Sequence, residues 1–346
     1  MLEPQRDDIE ALARAVLGAK CRLLAWHLVG SRDGDLVVFA TLVFPARVVV
    51  IKLADPQSPR PPLAREAAIQ QRVARETRVP VCDVLAVDDS CQRFPWRYLM
   101  TAHAPGMDWR DGLTRMSPPA RRDIYRQLGE AVAALHSLRY QEFGEVEVEA
   151  LALDLTPRPP LPQERGSQTL PAGEEAAGSF LEALTARARR RIANPAHADL
   201  FAAVLRARAS DFAGITEPRL THEDLNPSNL LLVPGEDEGD DWRMAAILDF
   251  ESAWAGCPES DIARLELWRD MMGDGFYEGY TTIRPISENY PARRPVYQLL
   301  WCLEYARPTP QHHADTARVC AALGIPAVTF APQETPGAEP GGSSRG

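Results

Sequence analysis

Nine consecutive residues, Thr221-His222-Glu223-Asp224-Leu225-Asn226-Pro227-Ser228-Asn229, set a carboxylate and an amide five positions apart in a stretch rich in turn formers. An apolar run, Leu230 to Val233, follows, and a second one, Ala245 to Leu248, delivers Asp249-Phe250-Glu251. The spacing puts Asp224 and Asn229 on a short loop and Asp249 at the end of a neighbouring strand. Phosphoryl transfer asks for such a set: a carboxylate to orient a hydroxyl and two oxygen ligands to hold Mg²⁺ against a nucleotide. His222, two residues before Asp224, is placed to hydrogen-bond the loop backbone and fix its shape. The competing reading is an Asx-rich turn with ordinary capping roles.

Lys52 is the second anchor. The chain has 36 arginines and only two lysines, Lys20 and Lys52, yet Lys52 stands inside the apolar run Val48-Val49-Val50-Ile51-Lys52-Leu53-Ala54. An ammonium on such a strand needs a counter-charge if it is buried. Nucleotide phosphates are one partner, and Glu66, on the helix that follows, is another. The alternative is an edge-strand lysine pointing to solvent.

Elements that position these groups are legible from the pattern. Residues 7–17 have helical spacing. Residues 22–29, 35–44 and 47–54 read as three antiparallel strands separated by turn signals at Gly30-Ser31-Arg32-Asp33-Gly34 and Pro45-Ala46. A helix is expected over 62–75, strands near 81–88 and 97–103, and a hinge at Ala104-Pro105-Gly106. Beyond it, Ser117-Pro118-Pro119 reads as an N-cap with prolines in the first turn, and Ile124, Leu128, Val132 and Leu135 form a helical stripe. The proline-rich segment 156–173 reads as a surface insertion or lid. Helices are expected at 178–192 and 197–212. Residues 230–233 and 243–248 read as a hairpin with a solvated acidic turn, and the remainder to about 323 as largely helical. The cluster Arg187, Arg189, Arg190 and Arg191 reads as a solvated helix face, and His136 as a structural histidine.

Bulk properties limit the function classes. At 346 residues and 45% hydrophobic, the chain can bury a large core. A net charge of −10 argues against a nucleic-acid partner and favours a cationic ligand. No run has the length of a membrane span, the first residues lack a signal-peptide layout, and six scattered cysteines without a CxxC pair favour a reducing cytoplasm.

His222-Glu223-Asp224-Leu225-Asn226-Pro227-Ser228-Asn229 with Ile247-Leu248-Asp249-Phe250 resembles the catalytic core of the aminoglycoside phosphotransferase family, whose members read HGDLxxxN followed by a strand ending in IDW or IDF. Lys52 with Glu66, the helix ending Ala134-Leu135-His136, and Gly256-Cys257-Pro258-Glu259-Ser260-Asp261 are further matches. Pro95 to Trp109 is similar in pattern to hygromycin phosphotransferases. The resemblance spans about residues 20–305. It implies an α+β, two-lobed protein-kinase-like fold: an antiparallel-sheet nucleotide lobe with one main helix (1–103), a larger, mainly helical catalytic and substrate lobe (104–330), and a disordered tail (331–346).

The resemblance also implies roles. Asp224 would be the catalytic base, Lys52 would bind the α- and β-phosphates and be held by Glu66, and Asn229 and Asp249 would ligate Mg²⁺. Asp261 would brace the catalytic loop alongside His222, and Thr101, Ala102 and His103 would meet the adenine of ATP (or the base of GTP) through main-chain groups. Acceptor contacts are expected from Glu223, Glu251, Trp254, Glu266, Trp268 and Asp270, with Trp301 nearby. The sequence departs from the family at Glu223, where Gly is usual, and at Cys257, where Asp is usual. Only eleven residues separate Asp249 from Asp261, which leaves no room for an activation loop and favours a small-molecule acceptor. The expected activity is ATP- and Mg²⁺-dependent O-phosphorylation of a small hydroxylated molecule, with a cationic aminoglycoside-type antibiotic as lead, since an acidic protein with Glu223 beside the base would attract amines. The alternatives are a choline, homoserine or sugar kinase, or a non-catalytic kinase-fold nucleotide binder, acting as monomer or homodimer.

Overall fold

The computed structural model describes residues 3–30, 35–146, 176–235, 241–304 and 309–330. The expected lid (156–173), the acidic turn, most of the Gly30–Gly34 turn and the 331–346 tail lie outside the described residues, wholly or in large part.

The first lobe is an antiparallel five-stranded sheet. Helix α1 (Arg6–Leu17) precedes β1 (Arg22–Gly30), β2 (Leu36–Phe44) and β3 (Arg47–Ala54); helix α2 (Leu63–Glu76) then leads to β4 (Val84–Asp88) and β5 (Arg97–Ala102). The strand order is β1-β2-β3-β5-β4. Period-two alternation assigns the faces. Val38, Ala40, Val49, Ile51 and Met100 cluster with Ile9, Leu12 and Ala13 of α1. The opposite face, carrying Val50 and Lys52, is left for α2 and the second lobe. Pro62 cannot supply a capping side chain to α2, so Asp89 does so from outside: its two carboxylate oxygens accept from the Leu63 and Ala64 N–H groups at 3.0 and 2.8 Å. Glu66 follows in the first turn.

After Ala104-Pro105-Gly106 the chain enters β6 (Met107–Asp108), α3 (Trp109–Arg115) and α4 (Pro118–Leu135), whose N-cap is Ser117. Helices α5 (Ala176–Arg191) and α6 (Pro195–Ala207) follow, the latter ending before a separate 3₁₀ turn at Ala209–Phe212 rather than running on to it. Strands β7 (Arg219–Thr221), β8 (Leu230–Pro234), β9 (Trp242–Ile247) and β10 (Trp254–Gly256) frame the motif region: β8 pairs with β6 and β9, and β7 with β10. Helices α7 (Glu259–Leu267), α8 (Phe276–Thr281), α9 (Tyr290–Glu304) and α10 (Pro310–Leu323) complete the lobe. Among the described residues no helix is long and apolar enough to cross a membrane.

The stripe Ile124, Leu128, Val132 and Leu135 is fully buried, in one core with Phe276 and Tyr280. Helices α4 and α8 meet backbone to backbone there. A Cβ on Gly129 would lie 2.1 Å from the Phe276 carbonyl oxygen, and one on Gly279 2.0 Å from that of Arg126. Gly129→Ala is therefore expected to lower stability by about 2 kcal/mol, because neither carbonyl can retreat without separating the helices. Urea unfolding checks this, and an unchanged midpoint would contradict it.

Candidate active site

Sheet register builds one wall of the site. Val37 and Leu99 pair opposite Lys52, and Thr101 opposite Val50. These residues share a face and, with Asn229, Leu248 and Asp249, line a cleft of about 330 Å³. Lys52 Nζ lies 2.7 Å from Glu251, 3.0 Å from Glu66 and 3.6 Å from Asp249. Burial works against the ammonium, but Glu66, Asp249 and Glu251 outweigh it and hold Lys52 well above the ordinary lysine value. Burial pushes the Glu66 carboxyl up to about 7 against the pull of Lys52, with Asp249 and Glu251 adding to the rise. A cation stays charged here because three carboxylates surround it.

The loop between β7 and β8 is held from below by Asp261 on α7. One oxygen of Asp261 accepts from the His222 N–H (2.7 Å) and from His136 Nε2 (3.0 Å), the other from the Glu223 N–H (2.8 Å). His136 Nδ1 lies 3.0 Å from the Tyr280 hydroxyl. Burial keeps the His136 imidazole below its usual value and thus neutral, and the carboxylate partner assigns its proton to Nε2. The His222 ring ties the loop to the end of β9: Nε2 faces the Leu248 carbonyl at 3.0 Å, and Nδ1 accepts from the Asp224 N–H at 3.2 Å. Against the cost of burial, the His136 ring and the loop N–H groups hold the Asp261 carboxyl below the usual range.

A depressed carboxyl stabilises the fold at pH values above its unfolded value of about 3.9 and loses that contribution as pH falls through the folded value. Asp261→Asn is accordingly expected to cost about 3 kcal/mol at pH 7. The difference from wild type should shrink as acid unfolding is approached. Urea unfolding at neutral and acid pH measures it; a pH-independent difference would contradict the assignment.

Asp224 and Asn229 meet across the loop: Asn229 Nδ2 donates to the Asp224 carbonyl at 2.9 Å and its carboxylate at 3.2 Å. Because Asn229 makes both bonds through Nδ2, its Oδ1 is left for another ligand. Asp249 has a left-handed backbone (φ 62°), and its Oδ1 is buried without a hydrogen-bond partner. An amide oxygen and a carboxylate oxygen on one cleft, the latter facing Lys52 Nζ at 3.6 Å without a hydrogen bond, are donor types a hard cation takes, so the residues present fit Mg²⁺. Glu66, Asp249 and Glu251 also bring oxygens within 4.8 Å of one another, gathered around the Lys52 ammonium.

Several expected acceptor contacts lie elsewhere. Glu223 is 1% exposed and turned into the core: it accepts from Trp254 Nε1 (2.8 Å) and Ser260 Oγ (3.2 Å) and faces Arg187 at 3.7 Å. Its side chain does not lie beside that of Asp224 as expected, because its left-handed backbone (φ 65°) directs it inward. That conformation also explains why glycine suits the position. Trp254 is buried under Arg187, whose guanidinium lies 4.8 Å from its ring centroid. Arg187 is itself buried, not part of a solvated face. Nothing in the helical spacing of four arginines reveals which one turns inward. Burial pulls Arg187 down and pushes Glu223 up, each opposed by the other.

Glu251 faces Lys52 and Arg60 in the first cleft. Thr101 lines the cleft, but the Ala102 and His103 N–H groups already donate to the Asp83 and Val48 carbonyls, so neither is available to a base. Glu266 accepts from the Tyr277 hydroxyl and lies 3.6 Å from Arg294. Asp270 turns the chain at φ 68°, its carbonyl accepting from Trp109 and Tyr125. Trp268 and Trp301 do come together, in a second cleft of about 300 Å³. Arg264, which no sequence pattern singles out, joins that cleft to the loop: Nη2 is 2.5 Å from Asp224 Oδ1 and the guanidinium lies 4.2 Å from the Trp301 centroid.

An antiparallel-sheet lobe whose lysine faces a helix glutamate, set against a helical lobe bearing this loop, defines a kinase-like phosphotransferase. The profile of the phosphotransferase enzyme family matches residues 38–296, well over half of the chain, and the chain belongs to that family. It is a phosphotransferase enzyme with an alcohol group as acceptor. No curated protein sequence matches the chain. Among solved structures, a candidate aminoglycoside phosphotransferase from Ralstonia eutropha JMP134 is similar at 17% identity and a TM-score of 0.57, covering 92% of this chain and 96% of that one. A thermostable mutant of the aminoglycoside phosphotransferase APH(4)-Ia, in ternary complex with AMP-PNP and hygromycin B, is similar at 15% identity and 0.56, covering 91% and 97%. The gentamicin complex of APH(2″)-IIa is similar at 12% identity and 0.51, covering 94% and 93%. At these identities the likeness is one of fold: the two-lobed, protein-kinase-like α+β architecture.

Proposed function

We propose that this protein transfers the γ-phosphoryl group of ATP, or of GTP, to a hydroxyl of a small molecule, with Mg²⁺ as cofactor. Lys52, oriented by Glu66, meets the α- and β-phosphates, while Asn229 and Asp249 hold the cation. When bound, Mg²⁺ neutralises charge on the β- and γ-phosphates. Asp224 orients the acceptor hydroxyl and takes its proton as that oxygen bonds to the γ-phosphorus. The bond from phosphorus to the bridging oxygen breaks, and the nucleoside diphosphate leaves with the electron pair. Asp261 and His222 keep the loop in register, so Asp224 needs no reorganisation at the moment of transfer.

The observation that carries this reading is the convergence of Lys52, Asn229 and Asp249 on one cleft with Asp224 hydrogen-bonded to Asn229 at its edge. The stretch from Asp249 to Asp261, taken up by a 3₁₀ turn and β10, supports a small acceptor over a protein one. The hygromycin B and gentamicin complexes of the fold relatives support a polyhydroxylated, sugar-like acceptor, of which aminoglycosides are one class to test. Attraction of amines by Glu223 lends no support, since that side chain is buried.

Thermal unfolding with Mg²⁺ and AMP-PNP tests the nucleotide half. Saturating ligand is expected to stabilise wild type by about 2.7 kcal/mol at a hundredfold excess over Kd. Lys52→Ala and Asp249→Ala should lose most of that shift, and chelation of Mg²⁺ should reproduce the loss. Variants that keep the full shift would place the nucleotide elsewhere.

A further inference from the structure

The second cleft has a charge of its own. Its wall presents three guanidinium groups, on Arg110, Arg264 and Arg269, against one carboxylate, Asp315. Asp315 already has cationic and amide partners, Arg318 at 2.8 Å and Gln311 at 2.9 Å. Arg264 is shared with Asp224, yet its Nε is buried and has no hydrogen-bond partner. Arg110 and Arg269 are exposed and have no anionic partner among the described residues. A buried guanidinium N–H without an acceptor is costly, and two unpaired arginines beside it leave the cleft cationic although the whole protein is acidic. At the Debye length of about 8 Å, these local charges and not the distant net charge govern a docked molecule. Trp268, half-buried, adds flat apolar surface, while Trp301 lies buried beneath the Arg264 guanidinium and holds it in place, and about 300 Å³ suits a molecule of monosaccharide size.

We infer that the acceptor is an anionic hydroxylated molecule, a sugar acid or sugar phosphate, whose carboxylate or phosphate is bound by Arg110, Arg269 and the Nε edge of Arg264 while its ring lies against Trp268. The inference rests on the phosphotransferase reading of Asp224, to which Arg264 connects the cleft directly. A carboxylate or phosphate takes the planar guanidinium edge in paired hydrogen bonds, which an amine cannot. An amine in this cleft would face the two uncompensated like charges of Arg110 and Arg269.

Four ligands sharing one hydroxylated skeleton test it: glucuronate, glucose 6-phosphate, glucose and glucosamine. Binding to the full chain with Mg²⁺ and AMP-PNP is read by tryptophan fluorescence. Transfer is read separately with labelled ATP. The two anions are expected to bind at least about tenfold more tightly than glucose, and glucosamine most weakly. Whichever anion is tighter identifies the group as carboxylate or phosphate. The Arg110→Ala/Arg269→Ala double variant should lose about tenfold for the anions and little for glucose, with AMP-PNP affinity unchanged as the check on folding. Glucosamine binding as tightly as the anions would overturn the inference. So would an equal loss for all four ligands in the double variant, or no fluorescence response to either anion at millimolar concentration. If the anions bind selectively but no phosphoryl group is transferred to any of the four, the charge assignment stands and the phosphoryl-transfer role of the cleft fails.

Discussion

Asp224→Asn is expected to lower kcat by about 10²- to 10⁴-fold, the range removed with a positioned general base, while leaving nucleotide affinity within about twofold of wild type. The split follows from the site's construction. Lys52, Glu66 and Asp249 line the cleft proposed for the nucleotide, and Asp224 touches it only through Asn229. The amide keeps the size of the carboxylate and one acceptor oxygen, so Asn229 can still donate to it. What is lost is the anion that takes the hydroxyl proton and that balances Arg264. Steady-state kinetics with nucleotide and acceptor varied separately would show the fall in kcat with KM for nucleotide unmoved. A variant whose loss lies wholly in nucleotide KM would mean that Asp224 handles phosphate or metal rather than the hydroxyl.

The second large effect falls on stability. Glu223→Ala is expected to destabilise the fold by about 3–5 kcal/mol, because it leaves the Arg187 guanidinium buried without its counter-charge. Trp254 and Ser260 lose an acceptor at the same time. Glu223→Gly should cost less than alanine, since the left-handed backbone strain of about 1 kcal/mol is relieved. Combining it with Arg187→Met should recover most of the stability: an apolar side chain of similar length fills the space without a charge to satisfy. Urea unfolding of the three variants measures the series. Additive losses in the double variant would mean that Glu223 and Arg187 are not coupled.

What the sequence disclosed and what it withheld divide along physical lines. Strands β1 to β3 and helix α4 follow from alternation and helical spacing, because one buried face repeats at a fixed period. Lys52 stood out because a charge interrupts an apolar strand, and register then fixes its neighbours. Side-chain direction in loops has no such period. Glu223 adjoins Asp224 in sequence, yet a single left-handed residue sends it into the core. Arg187 and Arg264 were illegible for a related reason: among 36 arginines, only tertiary packing decides which one is buried and which one reaches Asp224. That the Ala102 and His103 N–H groups are taken up by the Asp83 and Val48 carbonyls depends on partners distant in the chain, which no local pattern discloses.

The central claim is that one site joins a metal nucleotide to a hydroxyl. ³¹P NMR of the protein with ATP, Mg²⁺ and a panel of hydroxylated acceptors, anionic sugars and aminoglycosides among them, tests it most directly. The account predicts a phosphomonoester resonance appearing in one-to-one proportion with ADP, abolished in Asp224→Asn. Nucleotide binding with no ester for any acceptor, or ester formation at an undiminished rate in Asp224→Asn, would contradict it.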